Sequence, residues 1–376
     1  MRTIYLDYNA TTPLAPAVRE AMQPYLDDRY GDPSSAHALG RACQEALSDA
    51  RLRVAQLLGG QRDQIVFTSG GTESNNLAVK GVALQHAPAA GGHIVISAIE
   101  HPAVTEPARF LERLGYGLSI VGCDRRGVVD PRAVAATLRP DTVLVSVIHA
   151  NHEIGVVQPI RQIAAICRER DILCHTDASQ TVGKLPVSVD ELGVDLLSLS
   201  GHKFHGPKGA GALYVRRGVG LEPLLHGTGQ VAGLRAGTEN VAAIVGLGRA
   251  AAMAARNLND TVDRIARLRD RLHERLHEAL GGRLAIIGSG ADRLPNTLAV
   301  SVASGDAREI LRRCPEVCAS AESVGLGAMR ISPTLAAMGI SADIARGTLR
   351  LSLGWFTTEE EIDRAGSLLA AACELD

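Results

Sequence analysis

The sequence has 376 residues, of which 46% are hydrophobic, and its 39 basic and 41 acidic side chains leave a net charge of −2. That length predicts two domains with an ample apolar core, while the balanced charge, without a polybasic run, argues against a nucleic-acid partner. The N-terminus lacks an apolar signal stretch and no apolar segment approaches the roughly 20 residues of a membrane span, so we expect a cytoplasmic protein without membrane contact.

Seven cysteines are scattered along the chain, at positions 43, 123, 167, 174, 314, 318 and 373. Their spacing matches neither a disulfide framework nor the ligand pattern of a zinc site. We therefore expect reduced, mostly buried cysteines and no metal.

Short apolar runs alternate with helical patterns between about residues 60 and 215. They predict seven strands, at 65–67, 93–97, 118–121, 142–147, 172–175, 196–199 and 212–215. Strands that are apolar throughout and separated by helices are typical of a mainly parallel sheet covered on both faces. The sequence thus predicts an α/β fold whose active site lies at the carboxyl ends of the strands.

The first candidate for ligand binding is the run FTSGGTESNN at 67–76, which follows the apolar Ile65 and Val66. A strand, a turn of Gly and Thr and a helix N-terminus form a phosphate cradle, because free backbone N–H groups and the helix dipole attract anions. Such a turn, taken alone, does not identify the ligand.

An acidic side chain, Asp177, follows an apolar strand in the run CHTDASQ at 174–180. A carboxylate there can pair with a protonated pyridine nitrogen and so make the ring an electron sink. The alternative is that Asp177 caps the following helix.

One lysine, Lys203, lies among small residues in the run SLSGHKFHGPKG at 198–209. A lysine that forms a Schiff base requires a partly desolvated setting that lowers its pKa, and glycines that let a cofactor approach. A surface turn rich in Gly and Lys is the alternative for this run alone. Phosphate turn, acid and lysine, in this order and separated by helices, together predict a pyridoxal phosphate site.

The pattern changes after residue 240. Apolar residues recur every three or four positions from Val262 to Leu280 among charged ones, which predicts a long amphipathic helix leading out of the first domain. The remainder, with strands near 297–302 and 349–353, is interpreted as a smaller α+β domain.

Several further motifs occur in one order along the chain. They are LDYNATTP at 6–13, GDPSS at 31–35, TSGGTES at 68–74, EH at 100–101, NHEIG at 151–155, HTD at 175–177, SGHK at 200–203, RAGT at 235–238 and RLSLG at 350–354. With them the chain resembles the fold-type I pyridoxal phosphate enzymes of the class V aminotransferase group, and more narrowly the cysteine desulfurases and selenocysteine lyase.

The resemblance implies a large cofactor-binding domain at 15–250 with a mainly parallel seven-stranded sheet, and a small α+β domain at 1–14 and 251–376. It implies pyridoxal 5′-phosphate as cofactor, a small amino acid as substrate and a homodimer with shared active sites.

Carried over position by position, the resemblance implies a role for each matching residue. Lys203 would hold the cofactor and act as a catalytic residue with His101, which would stack on the ring. Gly71, Thr72, Ser200 and His202 would bind the phosphate, Asp177 the pyridine nitrogen, Gln180 the phenolic oxygen and Thr238 the phosphate of the neighbouring subunit; Asn9, Asn151 and Arg350 would contact the substrate.

The chain departs from the family where a mobile loop carries the cysteine that receives substrate sulfur as a persulfide. Alignment places Val324 or Gly325 at that point, in a segment without a thiol. Cys318 lies about six residues upstream and is the alternative carrier if the loop folds differently, but its apolar surroundings favour a buried, inert cysteine. A sulfur-acceptor protein is therefore doubtful.

A second departure is His152, which stands where the family has a second asparagine that contacts the phenolic oxygen of the cofactor. A group that titrates near neutral pH replaces an amide, so His152 is a candidate cofactor ligand and catalytic acid or base. The alternative is that His152 makes the same hydrogen bond as the amide and changes nothing.

The leading hypothesis is a cysteine desulfurase-like enzyme that cleaves the C–S or C–Se bond of cysteine or selenocysteine without a protein persulfide. One alternative is an enzyme repurposed for transamination, decarboxylation or racemisation of another amino acid. Another is a catalytically quiet dimeric partner protein, which the intact cofactor residues argue against.

Overall fold

The computed structural model describes residues 3–86, 91–228, 233–321 and 331–374. Val324 and Gly325, the positions predicted to correspond to the loop cysteine of the family, lie outside these ranges. The strands are β1 (Ile4–Tyr5), β2 (Ile65–Thr68), β3 (His93–Ser97), β4 (Gly117–Val121), β5 (Thr142–Ser146), β6 (Leu173–Asp177), β7 (Leu196–Ser200), β8 (Gly211–Val215), β9 (Leu284–Ile286), β10 (Thr297–Val302), β11 (Val317–Cys318), β12 (Ser320–Ala321) and β13 (Thr348–Ser352). The helices are α1 (Pro16–Met22), α2 (Ala38–Leu58), α3 (Gly71–His86), α4 (Pro102–Arg113), α5 (Pro131–Thr137), α6 (Ile160–Glu169), α7 (Val189–Leu192), α8 (Val241–Leu280), α9 (Ala307–Arg313), α10 (Pro333–Ala337), α11 (Ala342–Arg346) and α12 (Glu359–Glu374).

Seven strands form one large sheet in the order β2-β8-β7-β6-β5-β3-β4. The pairs from β7 to β4 are parallel, and β8 alone runs against its two neighbours, β2 and β7. Both faces are covered: along β2, Ile65 and Phe67 belong to one apolar core and Val66 to the other, as the period-two alternation of a strand requires. The predicted α/β fold and all seven predicted strands are confirmed.

A second sheet of four antiparallel strands, in the order β12-β13-β10-β9, has its own apolar core. The N-terminal strand β1 pairs in parallel with β11, and Ile4 and Leu6 enter this second core. The first residues of the chain therefore pack against its C-terminal third, which places Asp7 and Asn9 between the two sheets.

Helix α8 joins the two cores. Its first half, as far as Ala254, packs on the large sheet, and its second half, from Ile265, packs on the small one. The predicted domain boundary at residue 250 thus falls inside a continuous helix and stays a prediction. Within the described residues α8 is the one helix long and apolar enough for a membrane span, but its apolar side chains are used in the two cores, which is typical of a core helix.

The parallel arrangement explains where the polar motifs meet. The 68–71 turn follows β2, His101 follows β3, Asp177 ends β6 and Lys203 follows β7. Since these strands share one direction, their carboxyl ends lie at the same edge of the sheet, where ligands of such folds bind.

Candidate active site

A cavity of about 590 Å³ opens at this edge. Most of the residues singled out from the sequence line it, together with side chains that sequence reasoning did not select. The predicted lining residues are Asn9, Gly71, Thr72, His101, His152, Asp177, Gln180, Ser200, His202, Lys203 and Arg350.

The turn before α3 forms one end of the cavity. The first N–H groups of a helix, here those of Gly71 and Thr72, have no intrahelical acceptor and face outward along the axis. A Cβ added at Gly71 would lie 2.9 Å from Ser179 Oγ and 3.3 Å from Ser200 Cβ. Glycine is therefore required here for the strand ends and the helix to approach this closely, and the resulting cradle suits a phosphate group.

Lys203 directs its amine toward the N-terminal segment. Its Nζ donates to the main-chain oxygens of Asn9, at 2.6 Å, and Ala10, at 2.8 Å. Burial, with a smaller contribution from the positive charge of Arg350, lowers the pKa of Lys203 to about 8. About a tenth of the amine is therefore unprotonated and nucleophilic at pH 7, and about half at pH 8, far more than at the ordinary lysine pKa, as a Schiff-base lysine requires.

The Asp177 carboxylate is held rigidly at the end of β6. Its Oδ2 accepts from Asn75 Nδ2 at 2.7 Å, and its Oδ1 accepts from the backbone N–H of Ser179 at 2.9 Å. The second bond is a local contact with the turn that follows, not the helix cap of the alternative interpretation, because the next helix after Asp177 begins only at Val189. Each carboxylate oxygen keeps further acceptor capacity, so this contact and the pairing with a pyridine nitrogen are compatible.

Two histidines meet over the cavity, with the ring centroids of His101 and His152 5.2 Å apart and the ring planes at 72°. His101 is the N-cap of α4, and its Nδ1 accepts from Ala103 N at 3.0 Å. In the neutral ring the proton is therefore on Nε2. Burial is the main cause that lowers the pKa of both rings, for His152 well below its ordinary value.

The ring of His152 has a nitrogen that can still form a hydrogen bond. Among the described residues its buried Nδ1 has no hydrogen-bond partner, and the nearest charged group to Nε2 is Glu153, whose Oε1 is 3.7 Å away. A buried polar atom without a partner is costly, so Nδ1 is a position at which a bound ligand gains a contact.

Arg350 reaches the cavity from β13 of the second sheet and is 5% exposed. Its NH2 lies 2.8 Å from Asp7 Oδ1 and 2.9 Å from Ser320 Oγ, and its NH1 donates to the His152 carbonyl at 3.1 Å. The guanidinium plane is thus held by three different segments of the chain.

Two predicted site residues are not brought into the cavity. The side chain of Asn151 is fully committed elsewhere: its amide donates to Ile99 O and Thr334 Oγ1, and its Oδ1 accepts from the N–H groups of Glu153 and Ile154. It organises the loop that carries His152 and is not among the residues that line the cavity. Thr238 is exposed and lines an adjoining surface cavity of about 140 Å³, which shares Ser69 and Gly209 with the active-site cavity.

Sequence reasoning missed several residues of the site. Asn75 fixes Asp177, Ser179 lies against the cradle, and Asp7 with Ser320 holds Arg350. Asn75 and Ser179 stand inside motifs that had been recognised, so the signal was present. Ser320 carried none, because its partner Asp7 is 313 positions away.

Glu100, directly before His101, is the other missed group. Its Oε1 accepts from Ser97 Oγ and from Ile148 N, and burial raises its pKa to about 8. At neutral pH it is therefore largely a neutral acid that joins the loop after β3 to the loop after β5.

Pyridoxal 5′-phosphate fits this set of residues. The close-packed cradle at Gly71 is suited to the phosphate, Asp177 to a protonated ring nitrogen, and the Lys203 amine to the aldehyde. Among the described residues no group of three or more His, Cys, Asp and Glu side chains is arranged to hold a metal ion.

Comparison with known proteins agrees with the geometry. A family model described as Aminotransferase class-V matches residues 4–365. The cysteine desulfurase IscS of Dictyoglomus turgidum is 44% identical over 366 residues, which make up 96% of this chain and 92% of the relative. The enzyme of the same name from Anaeromyxobacter dehalogenans is 45% identical over 366 residues, covering 96% and 90%.

Solved structures give the same answer. A NifS-like protein superposes with a TM-score of 0.91 at 38% identity and covers 99% of both chains. A structure described as SspA in complex with cysteine gives a TM-score of 0.84 at 36% identity, covering 95% of this chain and 100% of the other. Site and similarity together lead to one conclusion: this chain belongs to the class V aminotransferase family and, within it, to the cysteine desulfurases, which are pyridoxal phosphate-dependent enzymes of sulfur metabolism.

Proposed function

We propose that this cysteine desulfurase-like enzyme acts on cysteine or selenocysteine and releases the sulfur or selenium directly, without a persulfide on the protein. One observation carries the proposal: the full set of cofactor-facing side chains is present, yet no cysteine occurs between Cys318 and Cys373. The segment that bears the sulfur-accepting thiol in related enzymes therefore has none.

Bound pyridoxal phosphate supplies an electron sink next to the substrate Cα. Asp177 holds the charge that this sink requires, and the cradle at Gly71, Thr72, Ser200 and His202 holds the phosphate. His202 is suited to such a contact as a neutral ring, because burial, reinforced by three nearby lysines, lowers its pKa to about 4. Gln180 would form a hydrogen bond with the phenolic oxygen of the cofactor.

Lys203 is the base in this proposal. With a pKa of about 8 its amine takes the proton from the substrate Cα near neutral pH. Two carbonyl acceptors, at Asn9 and Ala10, keep the amine on the side of the N-terminal segment.

His101 is the hydrogen-bond donor to the departing atom. The C–S or C–Se bond breaks with its electron pair on that atom, which Nε2–H of the neutral His101 ring stabilises, and the departing thiolate or selenolate gains on release the proton that Lys203 took from Cα. For cysteine the balance is L-cysteine plus water to pyruvate, ammonia and hydrogen sulfide. No oxidant or acceptor thiol is needed, whereas formation of alanine requires a group that accepts sulfur in the zero oxidation state.

Arg350 binds the substrate carboxylate through its planar fork, and the amide of Asn9 lies beside it. His152 presents Nδ1 to the bound molecule. Since burial holds the pKa of His152 low, it acts as a neutral hydrogen-bonding group over the physiological range.

The remaining assignments concern assembly. We propose a cytoplasmic homodimer in which Thr238 reaches the phosphate of the other active site, supported by the exposure of Thr238 and by its absence from the lining of the cavity of its own chain. The two domains follow the predicted boundaries, 15–250 against 1–14 with 251–376. A dedicated sulfur-acceptor protein is not part of the proposal.

The deciding experiment measures pyruvate, sulfide and alanine produced from L-cysteine by the cofactor-loaded protein, with Cys318→Ser beside it. Equal amounts of pyruvate and sulfide, unchanged by Cys318→Ser, are expected. Alanine production that disappears in Cys318→Ser would overturn the proposal and identify Cys318 as the sulfur carrier. No turnover of cysteine or selenocysteine would also overturn it.

A complementary variant restores the thiol. Val324→Cys is expected to add alanine formation and a persulfide detectable on Cys-containing peptides by mass spectrometry after alkylation. Gly325→Cys tests the neighbouring alignment. If neither variant gains a persulfide, the segment lacks more than the thiol alone.

A further inference from the structure

A second lysine, Lys184, is hydrogen-bonded to two side chains that line the cavity. The chain has four lysines, Lys80, Lys184, Lys203 and Lys208, and arginine at every other basic position. Lys184 does not line the cavity, but its Nζ donates to Gln180 Oε1 at 2.6 Å and to Asn9 Oδ1 at 3.0 Å. Both acceptors belong to residues that line the cavity. An amine is compact enough to lie between two such oxygens, whereas a guanidinium fork is not.

Main-chain carbonyls determine which way the two amides point, because a carbonyl oxygen can only accept. Asn9 Nδ2 donates to the His152 carbonyl at 3.2 Å, so its Oδ1 faces Lys184. Gln180 Nε2 donates to the Asn9 carbonyl at 2.9 Å, so its Oε1 faces Lys184. Lys184 is the donor common to both oxygens.

The same Asn9 carbonyl accepts from the Lys203 amine at 2.6 Å. A single connected network therefore runs from Lys184 through Gln180 and Asn9 to Lys203. Asn296 supports it with a second donor to Asn9 Oδ1 at 3.1 Å, but Gln180 Oε1 has no such second donor among the bonds described here.

Lys184 contributes orientation without an ion pair to these partners, since both of its acceptors are neutral amides. The residue as a whole is only partly buried, yet desolvation of its amine, with the charges of Lys203 and Arg350, lowers its pKa well below the ordinary value. A lysine amine has at least two N–H donors whether or not it carries the extra proton, so both bonds persist in either form.

We propose that Lys184 is a positioning residue that fixes the amide of Gln180 with its NH2 group toward the cavity, which makes Gln180 a hydrogen-bond donor to the phenolic oxygen of the cofactor. This inference rests on the role proposed above for Gln180. It does not depend on whether the product is pyruvate or alanine.

The test is the pH at which the absorbance of the bound cofactor changes. A donor to the phenolic oxygen stabilises its anionic form, so its loss moves the midpoint to higher pH. Lys184→Met removes both donated hydrogen bonds at similar length, and we expect its midpoint about one pH unit above that of the wild type. The other titratable or charged groups that line the cavity stay in place: Glu73, His101, His152, Asp177, His202, Lys203, Lys208 and Arg350.

Lys80→Met is the matched control, because Lys80 lies over the Phe110 ring on the side of α3 away from this network. A double-mutant cycle gives the decisive comparison: in a Gln180→Met background, Lys184→Met should shift the midpoint no further. A midpoint equal to that of Lys80→Met, or two shifts that simply add, would overturn the inference. Should Lys184→Met fail to fold, Lys184→Gln is measured in the same cycle, with the same expected direction.

Discussion

The two walls of the cavity are built in different ways. On the large-sheet wall, each reactive side chain follows a strand, and two of them have local partners: Asp177 accepts from Ser179 N and His101 from Ala103 N. Asp177 also accepts from Asn75, 102 positions away, and Lys203 donates to Asn9 O, 194 positions away. On the opposite wall, Arg350 is held by Asp7, 343 positions away, and by Ser320, 30 positions away. The comparison teaches that the wall proposed to hold the cofactor is positioned partly by local contacts, whereas the contacts described for Arg350, on the wall proposed to bind the substrate, all come from segments 30 or more positions away.

The largest effect is expected from a substitution on the large-sheet wall. Lys203→Ala removes the amine proposed to react with the cofactor aldehyde, and we expect complete loss of covalently retained cofactor and of turnover. Borohydride reduction followed by mass spectrometry measures the attachment, and an unchanged circular dichroism spectrum confirms the fold. Retained covalent cofactor in Lys203→Ala, with Lys80→Ala as the matched control, would rule out this role.

A substitution on the opposite wall should weaken the use of substrate and leave cofactor binding unchanged. Arg350→Ala removes a buried charged partner of the substrate carboxylate, a change of about 2–5 kcal/mol for such pairs, so we expect kcat/KM to fall about 100-fold or more. Cofactor affinity, measured by absorbance titration, should stay within about twofold. Equal losses in both quantities would show that the two walls are not separable.

A pH prediction follows for Lys203 with the sign set by its lowered pKa. The nucleophile is the unprotonated amine, so the rate of cofactor uptake by the apoprotein should rise about tenfold from pH 7 and level off above pH 9, given a pKa of about 8. At the ordinary value of 10.5 the rise would continue past pH 10. Stopped-flow absorbance at a series of pH values distinguishes the two curves.

The smallest effect is expected where the two walls meet. His152→Asn exchanges one neutral hydrogen-bonding group for another, because burial keeps the ring unprotonated. We expect kcat to change less than about fivefold and the acid limb of its pH profile to stay in place. A displaced limb would mean that His152 does titrate in the working range and acts as an acid or base.

Much of the fold and of the large-sheet wall was predictable. The seven strands followed from apolar runs alone, and Gly71, Asp177 and Lys203 followed from the residue types that each function demands. The position of the Asn151 side chain, outside the lining of the cavity, was not predictable, since proximity in a motif does not tell which way a side chain points. Its amide is used by the backbone of its own loop and by Thr334, while its neighbour His152 faces the cavity.

The sequence by itself determined which chemical groups the site contains. Apolar runs mark the strands, the motifs that follow them supply the polar side chains, and parallel strands bring those strand ends to one edge of the sheet. What only the tertiary structure decided is how those groups are held. The Asn9 carbonyl under Lys203, the Asp7 carboxylate on Arg350 and the Lys184 amine behind Gln180 all join segments that are far apart in sequence. Such contacts depend on the packing of the N-terminal segment between two sheets, and no local pattern of residues encodes that geometry.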